Sequence, residues 1–338
     1  MRAGEPARER ARPVYHPAGR DDALRAALED LQAGRWMATR ELLSETGTNW
    51  GLRSARSQIL AAAAVRSDVL GAWLMEEPES ANAVVMQARV AVERALRAHR
   101  HGRAQTGSLE QRAREWCWRA AQLAPQDPVP WVCLLALAQV DEQQARPEHY
   151  AASPERLLPP GPWGLLGEAH RLDPCNREAF HRMLRFWLSR PGGSVGASID
   201  FVRWVVSWAP VGSALLVLPL HAYAEHFRRQ RERVPADPLL RRLWTRDHIA
   251  RDAERALHLW FDETTSQPRL ALDLNHLAHA LSAAHRPQDA ARVFDAIGPY
   301  ATRLPWAHMA DDPALAEREF AWARSQAWAA VAASGGRP

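Results

Sequence analysis

Four times along this chain an apolar helical run stops at a proline, turns through polar residues and starts again. The joints read W-L-M-E-E-P-E-S-A-N-A-V-V around Pro78, A-A-Q-L-A-P-Q-D-P-V-P-W-V around Pro125, E-A-H-R-L-D-P-C-N-R-E-A-F around Pro174 and V-V-S-W-A-P-V-G-S-A-L-L around Pro210. Proline cannot continue a helix, and its fixed φ makes a tight reversal reproducible. A chain punctuated in this way folds into successive helices that bury their apolar faces on one another. Strand signals are nearly absent: there is no clean alternating run and no Asn-Gly or Asp-Gly hairpin turn.

Helical spacing fills the intervals. Leu24, Leu28 and Leu31 fall on one face of a first helix that ends at Gly34, and a short second helix runs toward Leu43. Ile59 to Met75 is rich in Ala and Leu, Asn82 to His99 is a long amphipathic helix, Gly102 to Ser108 is a loop, and Leu109 to Leu123 is helical again. Pro147, Pro154, Pro159, Pro160 and Pro162 crowd one stretch, which reads as an extended connector. A second break, Ala307 to Pro313, precedes a terminal helix that ends near Ala333. The expected organisation is a disordered tail over 1–20, a helical lobe over 21–145, the connector over 146–162, a second lobe over 163–333 and a loose tail over 334–338.

These joints resemble those of the tetratricopeptide repeat, a helix-turn-helix unit of about 34 residues. Ala271 to Thr302 carries the likeness most specifically. Leu274, Leu277, Ala278 and Leu281 occupy the large-residue positions of the first helix, and Ala290, Phe294 and Ile297 the small and aromatic positions of the second. Thr302 stands where the family has a closing proline, with Pro299 and Pro305 nearby. Ala113, Cys117, Ala120 and Pro125 fit a second helix, and Trp131, Leu134, Leu135 and Ala138 follow in phase. Ala169 and Pro174 lead in the same way to Phe180, Met183, Leu184 and Trp187, and Pro210 to Leu216, Leu220 and Tyr223. The marker prolines are unevenly spaced, so the repeats are degenerate, with inserted loops. The closing I-G-P-Y-A-T-R-L-P-W is similar to the end of bacterial helical-repeat proteins.

The resemblance implies an all-α solenoid of about six or seven helix pairs that binds a protein or peptide in a concave groove and has no cofactor. Groove-facing positions of the family's first helices correspond here to Asn82 and Arg89, to Glu178, His181 and Arg185, to His221 and Glu225, and to Asn275 and His279. Several are cationic or become so on protonation, so an acidic peptide is the expected partner; Arg offers its carboxylates bidentate hydrogen bonds.

Other classes of function find less support. All 43 basic residues are Arg, a bias that fits a GC-rich bacterial genome, and their charges alternate with acids along helices instead of forming blocks, which argues against nucleic acid. Without Lys no Walker motif is possible. Cys117, Cys133 and Cys175 lie far apart, without a C-x-x-C pair, which favours a reducing, cytoplasmic setting over a disulfide or zinc scaffold. Trp204 to Ala224 has no acid or Arg and is long enough to span a membrane, but Pro210 and Gly212 make it two shorter buried helices. Gly192, Ser194 and Gly196 match G-x-S-x-G, the nucleophile elbow of a serine hydrolase, which requires a strand before the serine; here a helix and Pro191 precede it. His221, Glu225 and His226 miss the zinc-protease spacings, and Asp273, His276 and His279 read as surface residues, so no metal is expected. The fifteen Trp serve as knobs between helices, or line an aromatic pocket.

Overall fold

The structure is a computed structural model and describes residues 12–190, 195–234, 237, 239–264 and 269–335. Helix takes 71% of the chain, and the described residues hold no strand, only the isolated bridges Val14–Tyr300 and Ala151–Gly161. The all-α expectation therefore holds. The chain divides into two compact units, one over Asp21–Phe201 and the other over Val202–Pro338 with the N-terminal stretch to Arg20. The division falls within a helix, well beyond the proline-rich stretch.

The first unit runs through α1 (Asp22–Gln32), α2 (Met37–Thr46), α3 (Trp50–Ala64), α4 (Val69–Glu76), α5 (Ala81–Arg100), α6 (Thr106–Leu123), α7 (Val129–Leu137), α8 (Trp163–Leu172) and α9 (Arg177–Ser189), and ends inside α10 (Val195–Trp208). Side-chain caps start several of them. Asp21 accepts from the Leu24 amide, Asn49 from Leu52, Ser80 from Ala83 and Asn176 from Ala179. Every residue of α7 except Trp131 is buried, and this helix packs against α5, α6, α8 and α9. A helix apolar on all sides belongs at a centre.

The proline-rich stretch is not an extended connector. It folds back on itself: Ala151 and Gly161 exchange backbone hydrogen bonds at 2.9 Å, His149 is fully buried, and its Nδ1 lies 2.8 Å from Asp141. Gly161 is required there, because a Cβ would stand 2.8 Å from the Trp187 ring. The loop is closed by its own packing, in the manner of an Ω-loop.

The second unit contains α11 (Leu218–Arg233), a 3-10 turn (Leu240–Thr245), α12 (Asp247–Arg255) continuing into a π-helical turn (Ala256–Phe261), α13 (Ala271–Ala283), α14 (Pro287–Ile297), α15 (Trp306–Met309) and α16 (Ala316–Gly335). Its core is aromatic. Trp306 and Phe294 stack at 6.0 Å, and Phe320 meets both edge-on at 5.5 and 5.4 Å. The N-terminal tail is not disordered throughout. Val14 donates to the Pro299 carbonyl at 2.7 Å, and Ala301 donates back to Val14. The apolar stretch Trp204–Ala224 is broken as expected, between the end of α10 and the start of α11. No single described helix is long and apolar enough to cross a membrane.

Candidate functional site

The first unit opens a groove of about 280 Å³ where the end of α2, the start of α3, the start of α5 and the turn between α6 and α7 meet. Leu43, Trp50, Ala124 and Pro125 give it apolar walls; Ser44, Thr48, Asn82 and Gln126 supply hydroxyl and amide groups. One buried side chain ties these elements together. Arg53 donates from Nε to Asp127 Oδ2 at 2.7 Å, from Nη1 to the Leu43 carbonyl at 3.1 Å and from Nη2 to Asn82 Oδ1 at 2.8 Å. Asn82 in turn donates to Ser44 Oγ at 3.2 Å, and Asp127 Oδ1 receives the Val129 amide at 2.9 Å. A buried arginine with its forks and its charge satisfied is a rigid joint. It fixes three walls of the groove relative to one another, and its guanidinium faces the Trp50 ring at 6.0 Å. The exposed lining consists of aromatic, hydroxyl and amide groups, which is chemistry for holding a ligand.

Deeper in the same unit Arg89 and Glu178 form a bidentate ion pair, both bonds 2.7 Å and both side chains buried. Arg89 also donates to Ser57 Oγ and to the Ser54 carbonyl, and Arg182 shares the Glu178 carboxylate. Burial alone would push the Glu178 carboxyl up, but Arg89 and Arg182 outweigh it and hold it below the usual range. Both residues were expected on an open groove, and both are core. The reason is packing: α2, α3, α4, α6 and α7 all lie against α5, so its Arg89 face is covered.

The remaining expected groove residues scatter. Asn82 does line the open groove. His181 is half-buried and Arg185 exposed, both on α9. Glu225 is buried on α11 and takes Arg228 and Arg229. His221, Asn275 and His279 gather in the second unit, but in its interior. His221 Nε2 lies 2.9 Å from Asp273 Oδ1, and its ring stacks on His276 at 3.7 Å. Asn275 is fully buried and accepts from Trp306 Nε1 at 2.9 Å. His279 sits edge-on between Trp244 at 4.6 Å and Trp306 at 5.4 Å. Asp273, His276 and His279 are therefore core residues, not surface ones. Burial, and then His308, pushes His279 down to about 3. Burial, and then His221, pushes His276 well below the usual imidazole range. Both rings are neutral at ordinary pH.

Ser194 lies outside the described residues, as does Gly192; Gly196 stands in the first turn of α10, and the helix α9 precedes them where a nucleophile elbow needs a strand. The groove residues that the sequence did not disclose are Trp50, Arg53, Gln126 and Asp127. The Pro125 turn was visible as a joint, but nothing in the sequence sets Arg53 apart from the other arginines. No family profile, curated protein or solved structure matches the chain.

Proposed function

We propose that this protein is a non-catalytic scaffold of tetratricopeptide-like helix pairs that holds a peptide segment of a partner protein. The groove of the first unit is the binding site, and the observation that carries this reading is its preorganisation by Arg53. Ligand sites are concave, largely preformed and mostly apolar, with a few placed polar groups. This one has those properties, and at about 280 Å³ it sits just below the range of about 300–1,000 Å³ usual for small-molecule pockets. That is room for one or two side chains of a peptide, with Gln126, Thr48 and Ser44 at the rim to meet its backbone. The α13–α14 pair, joined by three residues, has the form of one repeat. Cys117, Cys133 and Cys175, none of them in a disulfide, fit action in a reducing, cytoplasmic setting.

The test is selection of peptides from a displayed random library on the full-length protein, followed by calorimetry. Thr48→Arg and Gln126→Arg alter exposed rim positions and leave the core untouched. Each is expected to weaken the selected peptides about tenfold or more, about 1.4 kcal/mol, and Trp50→Ala to do the same. Unchanged affinities in all three variants would place binding elsewhere and remove the groove from the account.

A further inference from the structure

One stretch of the second unit departs from the general alternation of charge and carries arginines that its own fold does not pair. Between His226 and Arg246 the chain has seven arginines against two carboxylates, Glu232 and Asp237. Arg228 and Arg229 are engaged with Glu225, and Arg228 also with Glu232. Arg231, Arg233, Arg241, Arg242 and Arg246 make no ion pair or side-chain hydrogen bond among the described residues. Four of these five are exposed and Arg231 is half-exposed. Asp237 accepts from the Leu239 amide at 2.9 Å.

The 3-10 turn that carries Arg241 and Arg242 packs against α11 and α12, and Arg233 and Arg246 meet beside one histidine. Burial lowers the affinity of His226 for a proton, and Arg246, Arg229 and Arg233 lower it further, so guanidinium groups from the end of α11 and from the residue before α12 act on one imidazole. Arg246 also acts on His248, together with Arg203 and Arg251. The buried Nδ1 of His226 has no hydrogen-bond partner among the described residues. Two large apolar side chains between these arginines in sequence are exposed, Val234 at 57% and Leu239 at 58%.

We propose that this surface docks an acidic, amphipathic segment of a partner protein, with Val234 and Leu239 meeting its apolar side chains and Arg231, Arg233, Arg241, Arg242 and Arg246 its carboxylates. Exposed apolar side chains accompanied by arginine are the residue types that protein interfaces draw on. Positive charge attracts such a partner and sets its orientation. A nucleic-acid surface of this kind would carry aromatic stacking platforms among its arginines, and here the exposed apolar residues are aliphatic. Arginine without lysine suits carboxylates, which its planar fork binds bidentately. The inference does not rest on the groove of the first unit, and either reading can fail alone.

The test uses the full chain and three fluorescent probes. One is a synthetic helical peptide with Leu on one face and Glu on the other, the second a polyglutamate of the same charge, and the third a single-stranded oligonucleotide. Anisotropy titration is expected to rank the amphipathic peptide at least tenfold tighter than polyglutamate. Arg233→Glu with Arg242→Glu and Arg246→Glu should lose that binding by tenfold or more, with the circular dichroism spectrum unchanged. A peptide with Lys in place of Glu should then bind the charge-reversed variant better than the parent, which excludes loss through misfolding. Leu239→Ser should weaken the amphipathic peptide and leave polyglutamate unaffected. The proposal is overturned if the two acidic probes bind alike, if the charge-reversed variant binds as the parent does, or if the oligonucleotide displaces the peptide.

Discussion

Burial keeps His279 uncharged, and this has a consequence for stability that runs opposite to that of an ion-paired histidine. The folded ring titrates at about 3, whereas an unfolded one titrates near about 6.5. Above the unfolded value neither state binds the proton, and the stability is fully present. As the pH falls through about 6.5 the unfolded chain takes up a proton that the folded ring refuses, so stability drops by as much as about 1.4 kcal/mol per pH unit. The loss continues until the pH approaches the folded value. His276 is displaced in the same direction and adds to the effect. His279→Phe keeps an aromatic ring between Trp244 and Trp306 and removes the titrating site. Urea unfolding at about pH 7 and about pH 5 should reveal an acid loss smaller by about 2 kcal/mol in the variant than in the parent. Equal losses in both would assign the acid sensitivity to other groups. The contrast with Arg89 is instructive, because that residue remains charged at a similar depth. It has a carboxylate, a hydroxyl and a carbonyl around it, whereas Nδ1 of His276 and of His279 has no partner among the described residues. Burial selects the neutral form where the counter-charge supplied does not outweigh the desolvation.

Helices were legible where a cap, an apolar face and a stop coincide. Asp21, Leu24, Leu28, Leu31 and Gly34 define α1, whose closing glycine has φ of 80°. Ser80 and the charged last turn define α5. The pair α13–α14 is the best match between pattern and packing: Leu277, Ala278, Leu281, Ala290 and Phe294 are all fully buried. Phe294 touches Trp306 and Phe320, so Phe294→Ala should cost about 3–5 kcal/mol through lost contacts and a cavity. An unchanged midpoint in chemical denaturation would show that the phase of this pair is wrong. Legibility failed where the deciding contact is remote in sequence. The apolar run from Ile59 to Met75 conceals the end of α3 at Ala64 and a new start at Val69, and neither Gly nor Pro marks that break. Positions carried over from the repeat onto Arg89, Asn275 and His279 assume a solenoid face open to solvent. Here α3 covers one such face and Trp306 covers another. Periodicity states which side of a helix is apolar, but not how many neighbours close around it. The groove was invisible for the same reason: Arg53 meets Asp127 across 74 positions, and no local pattern encodes that pairing.

At the scale of the whole chain, the unit that ends the sequence also uses its beginning. Val14 donates to Pro299 and accepts from Ala301, forming a bridge with the turn that follows α14. Arg20 lies over Gly298, whose φ is 64°, and a Cβ at that glycine would stand 2.6 Å from the Arg20 guanidinium. The left-handed backbone is what calls for a glycine in this turn. The next residue, Asp21, belongs to the other unit. It caps α1 and accepts both forks of Arg56 at 2.8 and 3.0 Å. A single chain position therefore separates a segment that serves the second unit from one that serves the first. Truncation to a chain starting at Asp21 is expected to act at a distance: amide exchange should speed up at Ala301, whose N–H loses the Val14 carbonyl, and along the end of α14. Exchange in α5, α7 and α9 should be unaffected, because the Arg53 and Arg89 networks lie wholly within residues 43–182. The expected size is modest, about 1 kcal/mol for each backbone hydrogen bond removed, and hydrogen exchange read segment by segment resolves it where a single melting curve does not. Faster exchange in both units, or in neither, would show that the N-terminal stretch does not serve the second unit in particular.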